Sequence, residues 1–385
     1  VAQATPAAST TKRPVTYVTL GIFWAVVIGI CAGGGLILQL LGPVSKQAAS
    51  PAPRHTRPES VSTSRPLLPA EPVGKVTPIA PPTDDLLEAL SATDYPELPG
   101  AKLPKVGAGG TDWPARHYAA QVDPRDRQKH VALVVNGAGL DQELTLKLLR
   151  DVPAAVDIVF SAYMPPDRAD SMAQAARETG HECLLSIPME PSTAPMHDEG
   201  PHQLTADMSD DVYQQNLYWS LSRLGGCVGA TGAADNGMRG ERYAESPAFK
   251  NMLVEITKRG LLYLDPYTRT PALTPVTNAS PELPVPGNID LVRKMVLPPL
   301  DEPAPSGEPA DEDQIRQNLD RLTGYASPDQ PPIGLALNLN PKLIEIIRDW
   351  ANTLPAKGVT LVPLSATPKM PPPPPLDVIP PPDQK

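Results

Sequence analysis

The sequence is short of aromatics, cysteine and histidine, with 3 Phe, 4 Trp, 10 Tyr, 3 Cys and 6 His in 385 residues. The patterns it lacks exclude several chemistries. There is no GxSxG, hence no serine nucleophile on a strand-to-helix elbow. Neither a P-loop nor a GxGxxG following a strand occurs, which removes the common phosphate and dinucleotide cradles. No CxxC offers a dithiol or zinc-ribbon pair. Gly107–Gly110 is glycine-rich but is followed by no Lys-Ser/Thr, so it reads as a flexible loop.

Positive charge is also scarce where the chain looks globular. Residues 131–385 hold 20 Lys and Arg against 33 Asp and Glu, a net of −13. Nucleic acid needs basic side chains to neutralise phosphates, so it is not an expected partner. Docking of this part on anionic lipid is disfavoured for the same reason.

The 32 residues between Arg13 and Lys46 carry no charge at all. Within them Val18–Leu38 is 21 residues long, enough to cross a hydrocarbon core as a helix and longer than a signal-peptide core. Basic residues flank both ends (Lys12 and Arg13; Lys46, Arg54 and Arg57), so orientation rests on the large downstream domain being exported. A single-pass anchor in the inner (cytoplasmic) membrane, with a periplasmic C-terminal domain, is the expectation.

What the chain has in excess is proline, 51 residues, of which 15 fall in Pro43–Pro124 and 10 in Pro363–Pro382. Such segments bury too little surface to offset chain entropy. The expected organisation is a cytoplasmic N-terminus (1–14), a transmembrane helix (15–41), a Pro-rich linker (42–129), an ordered domain (130–366) and a Pro-rich tail (367–385). Within the linker only Asp84–Leu90 suggests a helical turn.

From His130 strands alternate with helices. His130–Val135, Ala155–Phe160, Glu182–Ile187, Cys227–Ala230, Leu261–Asp265, Ile333–Leu337 and Val359–Leu364 read as strands, and Pro266–Glu312 as irregular. Helices are marked by Ser209, Ser246-Pro247 and Asn340-Pro341 at their starts and by Gly180, Gly225 and Gly260 at their ends. Repeated strand–helix units imply an α/β fold with a parallel sheet, and six or seven strands suit a distorted (β/α) barrel. Chemistry in such folds sits past the strand C-termini. Those positions are Asn136 and Gly137, Ser186, the loop Gly229–Gly240, Asp265, Asn338 and Asn340. Asp265 is the only strand-end carboxylate among them, and no histidine is present.

Six segments together resemble the divergent polysaccharide deacetylase family. They are VALVVNGAGL (Val131–Leu140), GHECLLSIPMEP (Gly180–Pro191), GPH (Gly200–His202), WSLSRL (Trp219–Leu224), KRGLLYLD (Lys258–Asp265) and GVTLVPLSA (Gly358–Ala366). The resemblance implies a barrel of the carbohydrate deacetylase type, a usually exported protein and a role in carbohydrate metabolism. It also implies a divalent metal such as zinc. At the reactive positions the sequence departs from the family. Asn136 and Gly137 stand where paired aspartates are expected, and Ser186 where a histidine is. Ala230–Met238 lacks the histidine of an Asn-Asn-His segment, and Asn338 and Asn340 replace late histidines. Pro188, Met189, Glu190, Pro191, Gly229 and Asp265 match.

A metal-dependent deacetylase polarises the acyl carbonyl with its metal and needs a carboxylate base. With those ligands replaced, no cofactor is expected, and the domain reads as a catalytically degenerate member. It would bind glycan, or an envelope protein through the barrel mouth or the tail, where Pro371–Pro375 suits a groove-binding partner. The alternative is an active carbohydrate deacetylase or hydrolase using rearranged residues, Glu190 and Asp265 as an acid/base pair with Asp235. His197, Asp198, Glu199 and His202 cluster by composition like metal ligands, though a surface loop is the plainer reading. Cys183 and Cys227 lie near adjacent strands, and whether they pair is open from sequence.

Overall fold

The computed structural model describes residues 77–110, 112–123, 126–234, 237–266, 292–294, 297–303 and 309–367. The expected membrane helix, linker residues 42–76, Asp235 and the tail beyond 367 lie outside the described residues. Among those described, no helix is long and apolar enough to cross a membrane.

An arm precedes the main sheet. A 3-10 turn at Asp84–Leu86 leads into β1 (Leu87–Ala89), which pairs antiparallel with β2 (Lys102–Pro104), and one turn of helix follows, α1 (Pro114–His117). The sheet itself comprises β3 (Lys129–Ala138), β4 (Val156–Phe160), β5 (Cys183–Ser186), β6 (Gly229–Thr231), β7 (Leu262–Asp265) and β8 (Val292–Lys294), each parallel to the next. Two further strands share the other edge of β3. β9 (Ile333–Ala336) runs along Ala132–Val135, and β10 (Val359–Leu361) along Lys129–Val131.

Helices α2 (Gln142–Asp151), α3 (Pro166–Glu178), α4 (Asp210–Leu221), α5 (Glu241–Ala244), α6 (Ala248–Lys258), α7 (Glu312–Gly324) and α8 (Pro341–Thr353) alternate with the strands. Local chemistry sets their starts. Asp141 accepts from Leu144 N–H at 2.9 Å, Asp311 from Gln314 N–H at 2.7 Å, and Asn340 from Lys342 and Leu343 N–H at 3.0 and 2.9 Å. At the other end of α6, Gly260 takes φ of 72°, a left-handed value that ends a helix cheaply only for glycine.

The strands read as continuous apolar runs because both faces are covered. Outward-facing Val131, Leu133 and Val135 join Leu148, Met172, Ile256 and Ile347 of the helices in one cluster. Inward-facing Ala132, Val134, Val159, Leu184, Leu262, Leu264, Ile333 and Leu335 meet in a second. Residues from β9 round to β7 can converge on one interior only if the sheet curls. Among the described residues no strand bridges β8 to β9. The α/β fold with a parallel sheet is as expected, and the distorted barrel of six or seven strands takes the form of a curled half-barrel with eight parallel strands among the described residues. The missed strand, β8, is three residues inside the proline-rich stretch read as irregular.

The linker boundary at 129 is also corrected. Residues 77–110 and 112–123 pack under the strand N-termini, which form the floor of the half-barrel. Ile79 N–H donates to Arg177 O at 2.9 Å, Ala115 N–H to Gly260 O at 3.0 Å, and Arg259 Nη1 to Pro104 O at 2.9 Å. Ile79, Leu86, Trp113 and Tyr118 enter the inner cluster, while Leu103 enters the outer one. Cys183 and Cys227, left open above, form a disulfide with Cα atoms 4.7 Å apart. It staples the starts of β5 and β6, where Val228 N–H donates to Cys183 O.

Candidate functional site

The loops after β3, β6 and β9 meet at the opposite end, the mouth. Asn136 shares its parity with Ala132 and Val134, so it faces the interior, and it is 1% exposed. Its amide nitrogen donates to Ala234 O at 2.8 Å and to Leu337 O at 3.1 Å. Two carbonyl partners fix which end of the amide is nitrogen. Asn136 thus ties the loop after β6 to the end of β9, and its buried Oδ1 has no hydrogen-bond partner among the described residues. In Asn136→Leu both carbonyls lose this donor at nearly constant volume. We expect a loss of about 1–3 kcal/mol per carbonyl, and an unchanged urea midpoint would show that the loops do not depend on Asn136.

Gly137, at φ 94°, lets Leu339 pack against its backbone. Ser186 is buried and in register with Thr231, whose hydroxyl donates to Leu264 O at 2.8 Å. Asn338 is held by Asp301, a residue that the sequence pattern gave no reason to single out. The Asp301 carboxylate accepts Leu337 N–H and Asn338 N–H, both at 2.7 Å, and the Asn338 amide at 3.2 Å. Asn340 is exposed, and its side-chain oxygen caps α8. Met189 of the PMEP run lies under the loop after β6, where a Cβ at Gly240 would collide with it.

The two carboxylates proposed as an acid/base pair go to different neighbourhoods. Glu190 accepts from Ala206 N–H at 3.3 Å and lies 3.4 Å from Arg242 Nε. Asp265 alternates with inward-facing Leu264, so it falls on the side of Tyr263, fully buried. Burial first, and then the Asp265 charge, push the Tyr263 hydroxyl well above its ordinary range. The His197–His202 segment is a loop in which His202 stacks on Trp219 at 3.8 Å, with Tyr163 and Arg223 also against that indole. Among the described residues no group of three or more His, Cys, Asp or Glu side chains is placed to hold a metal ion.

A curled parallel sheet with polar residues gathered past its strand C-termini defines an α/β half-barrel domain. The family model described as divergent polysaccharide deacetylase matches residues 133–367, and the chain belongs to that family. It is similar to an uncharacterized protein, ATU2773, from Agrobacterium tumefaciens C58. The two are 28% identical over 69% of this chain and 99% of that one, with a TM-score of 0.56. It is more distantly similar to a family 4 carbohydrate esterase from Streptomyces lividans solved with acetate, at 14% identity, 61% and 92% coverage and TM-score 0.31. For the catalytic domain of a peptidoglycan N-acetylglucosamine deacetylase from Eubacterium rectale the values are 15%, 66%, 94% and 0.36. No curated protein matches the chain.

Proposed function

We propose that this chain is a catalytically silent deacetylase-like domain that acts by binding glycan or an envelope protein, held outside the inner membrane by its N-terminal helix. The observation that carries this reading is the state of Asn136. Where the family resemblance implies a charged ligand, a neutral amide spends both its N–H groups on main-chain carbonyls. The other donors point the same way. Gly137 has no side chain, Ser186 is a neutral hydroxyl, Asn338 donates to Asp301, and Asn340 spends its oxygen on α8. This set does not fit zinc, which takes imidazole, thiolate or carboxylate ligands.

The membrane and export parts rest on separate supports. The uncharged stretch 14–45 supports an anchor, and the disulfide supports an oxidising compartment such as the periplasm. The Pro-rich tail remains the proposed docking element for a groove-binding partner. Purified full-length chain should carry no stoichiometric zinc by elemental analysis. One tightly held zinc per chain would sink the proposal.

A further inference from the structure

The floor of the half-barrel holds two carboxyl groups that the mouth does not use. Ile158 is in register with Cys183, which places Asp157 of β4 beside Glu182 at the entry to β5. Their exposures are 0% and 1%. Two ionised carboxylates are not stable side by side in a dry interior, whereas one shared proton lets one carboxyl donate to the other. Hydrogen bonds decide which of them keeps it. Glu182 accepts from Ala120 N–H at 2.8 Å, from Ser365 N–H at 3.1 Å and from the Ser365 hydroxyl, while Asp157 accepts from Leu364 N–H at 2.9 Å. Three donors favour ionised Glu182, and Asp157 holds the proton.

The donors come from two ends of the described chain. Ala120 belongs to the arm, and Leu364 and Ser365 to a strap (362–367) that crosses the interior after β10. We propose that Asp157 and Glu182 form a proton-held latch that fastens arm and strap to the sheet and loosens both together when the shared proton leaves.

The surroundings isolate the pair electrostatically. The arm's nearby titratable groups are Tyr118, whose hydroxyl accepts from Thr83 N–H, and His117, 3.0 Å from Asp112. At the edge of the sheet His130 lies 3.2 Å from Asp126, and Arg177 of α3 stands near Tyr118. Among the described residues no lysine, arginine or histidine bonds to either carboxyl. Burial first, and then Glu182, push Asp157 well above the usual carboxylate range, and burial pushes Glu182 up as well. Because the folded values are raised, the latch contributes fully below the unfolded value of about 4. Its contribution is lost as pH rises through the folded value of the pair.

The test is amide hydrogen exchange on the full chain across neutral to alkaline pH, corrected for intrinsic rates. Leu262 N–H, which donates to Val228 O, serves as the control for global unfolding. Protection at Ala120, Leu364 and Ser365 should fall together, by tenfold or more, while Leu262 stays protected. In Asp157→Asn, which keeps an acceptor for Leu364 and a donor for Glu182 but cannot ionise, the three amides should stay protected throughout. Glu182→Gln, with one acceptor oxygen for three donors, should loosen them at every pH. Flat protection in the native chain, or an Asp157→Asn curve matching the native one, would overturn the latch. Loosening of the arm without the strap would do the same.

Discussion

A chain that begins at residue 130 is expected to be made but not to fold. The arm it lacks inserts Ile79, Leu86, Leu103, Trp113 and Tyr118 into the two clusters of the core, each 8% exposed or less. Burying a large apolar side chain contributes about 1.5–3 kcal/mol, so five of them amount to at most about 7.5–15 kcal/mol, since the unfolded chain already buries part of that surface. That is comparable to the ~5–15 kcal/mol stability of a whole domain. Truncation also strips Ala120 N–H from Glu182 and Pro104 O from Arg259, leaving a buried carboxyl and a buried guanidinium short of partners. Near-UV circular dichroism and a urea titration of chains starting at 77 and at 130 decide the matter. The longer chain should unfold cooperatively and the shorter one should show no transition. A shared midpoint would mean that the arm is decoration.

The arm shows why part of the fold was hidden in the sequence. Those five side chains lie 7, 17, 10 and 5 residues apart in turn, among prolines, with neither the 3.6 nor the 2.0 period that betrays a helix or a strand. Each side chain answers to a hole in the floor, and nothing in the local sequence describes that hole. The strands and helices were legible for the opposite reason. β3 is apolar on both faces because both faces are covered, and Leu343, Ile344, Ile347 and Trp350 repeat at helical spacing on α8. The mouth residues were found as strand ends, which topology alone supplies. How they are employed was not legible, because Asn136 bonds across 98 and 201 residues of sequence. One signal was there to be read. Asp157 interrupts the apolar run Val156–Phe160, and a charged residue inside a buried strand requires a partner.

Removing the disulfide should cost about 4 kcal/mol, the chain-entropy estimate for a closed loop of this length, since Cys183 and Cys227 are 44 residues apart. The loop so closed contains the PMEP run, α4 and the His202–Trp219 stack, so the unfolded chain is restrained across much of one side of the mouth. Cys183→Ala/Cys227→Ala and the native chain under reductant separate the contributions. The reduced native chain loses the cross-link but keeps both sulfurs in the outer cluster. The alanine variant loses the cross-link and leaves a small cavity besides. Urea midpoints should therefore fall in the order oxidised, reduced, double alanine, with the first step much the larger. The pairing of β5 with β6 should survive in all three, because Val228 N–H still meets Cys183 O whatever the side chains do. If reduction leaves the midpoint unmoved, the link does not restrain the unfolded state, and the support it lends to an oxidising compartment goes with it.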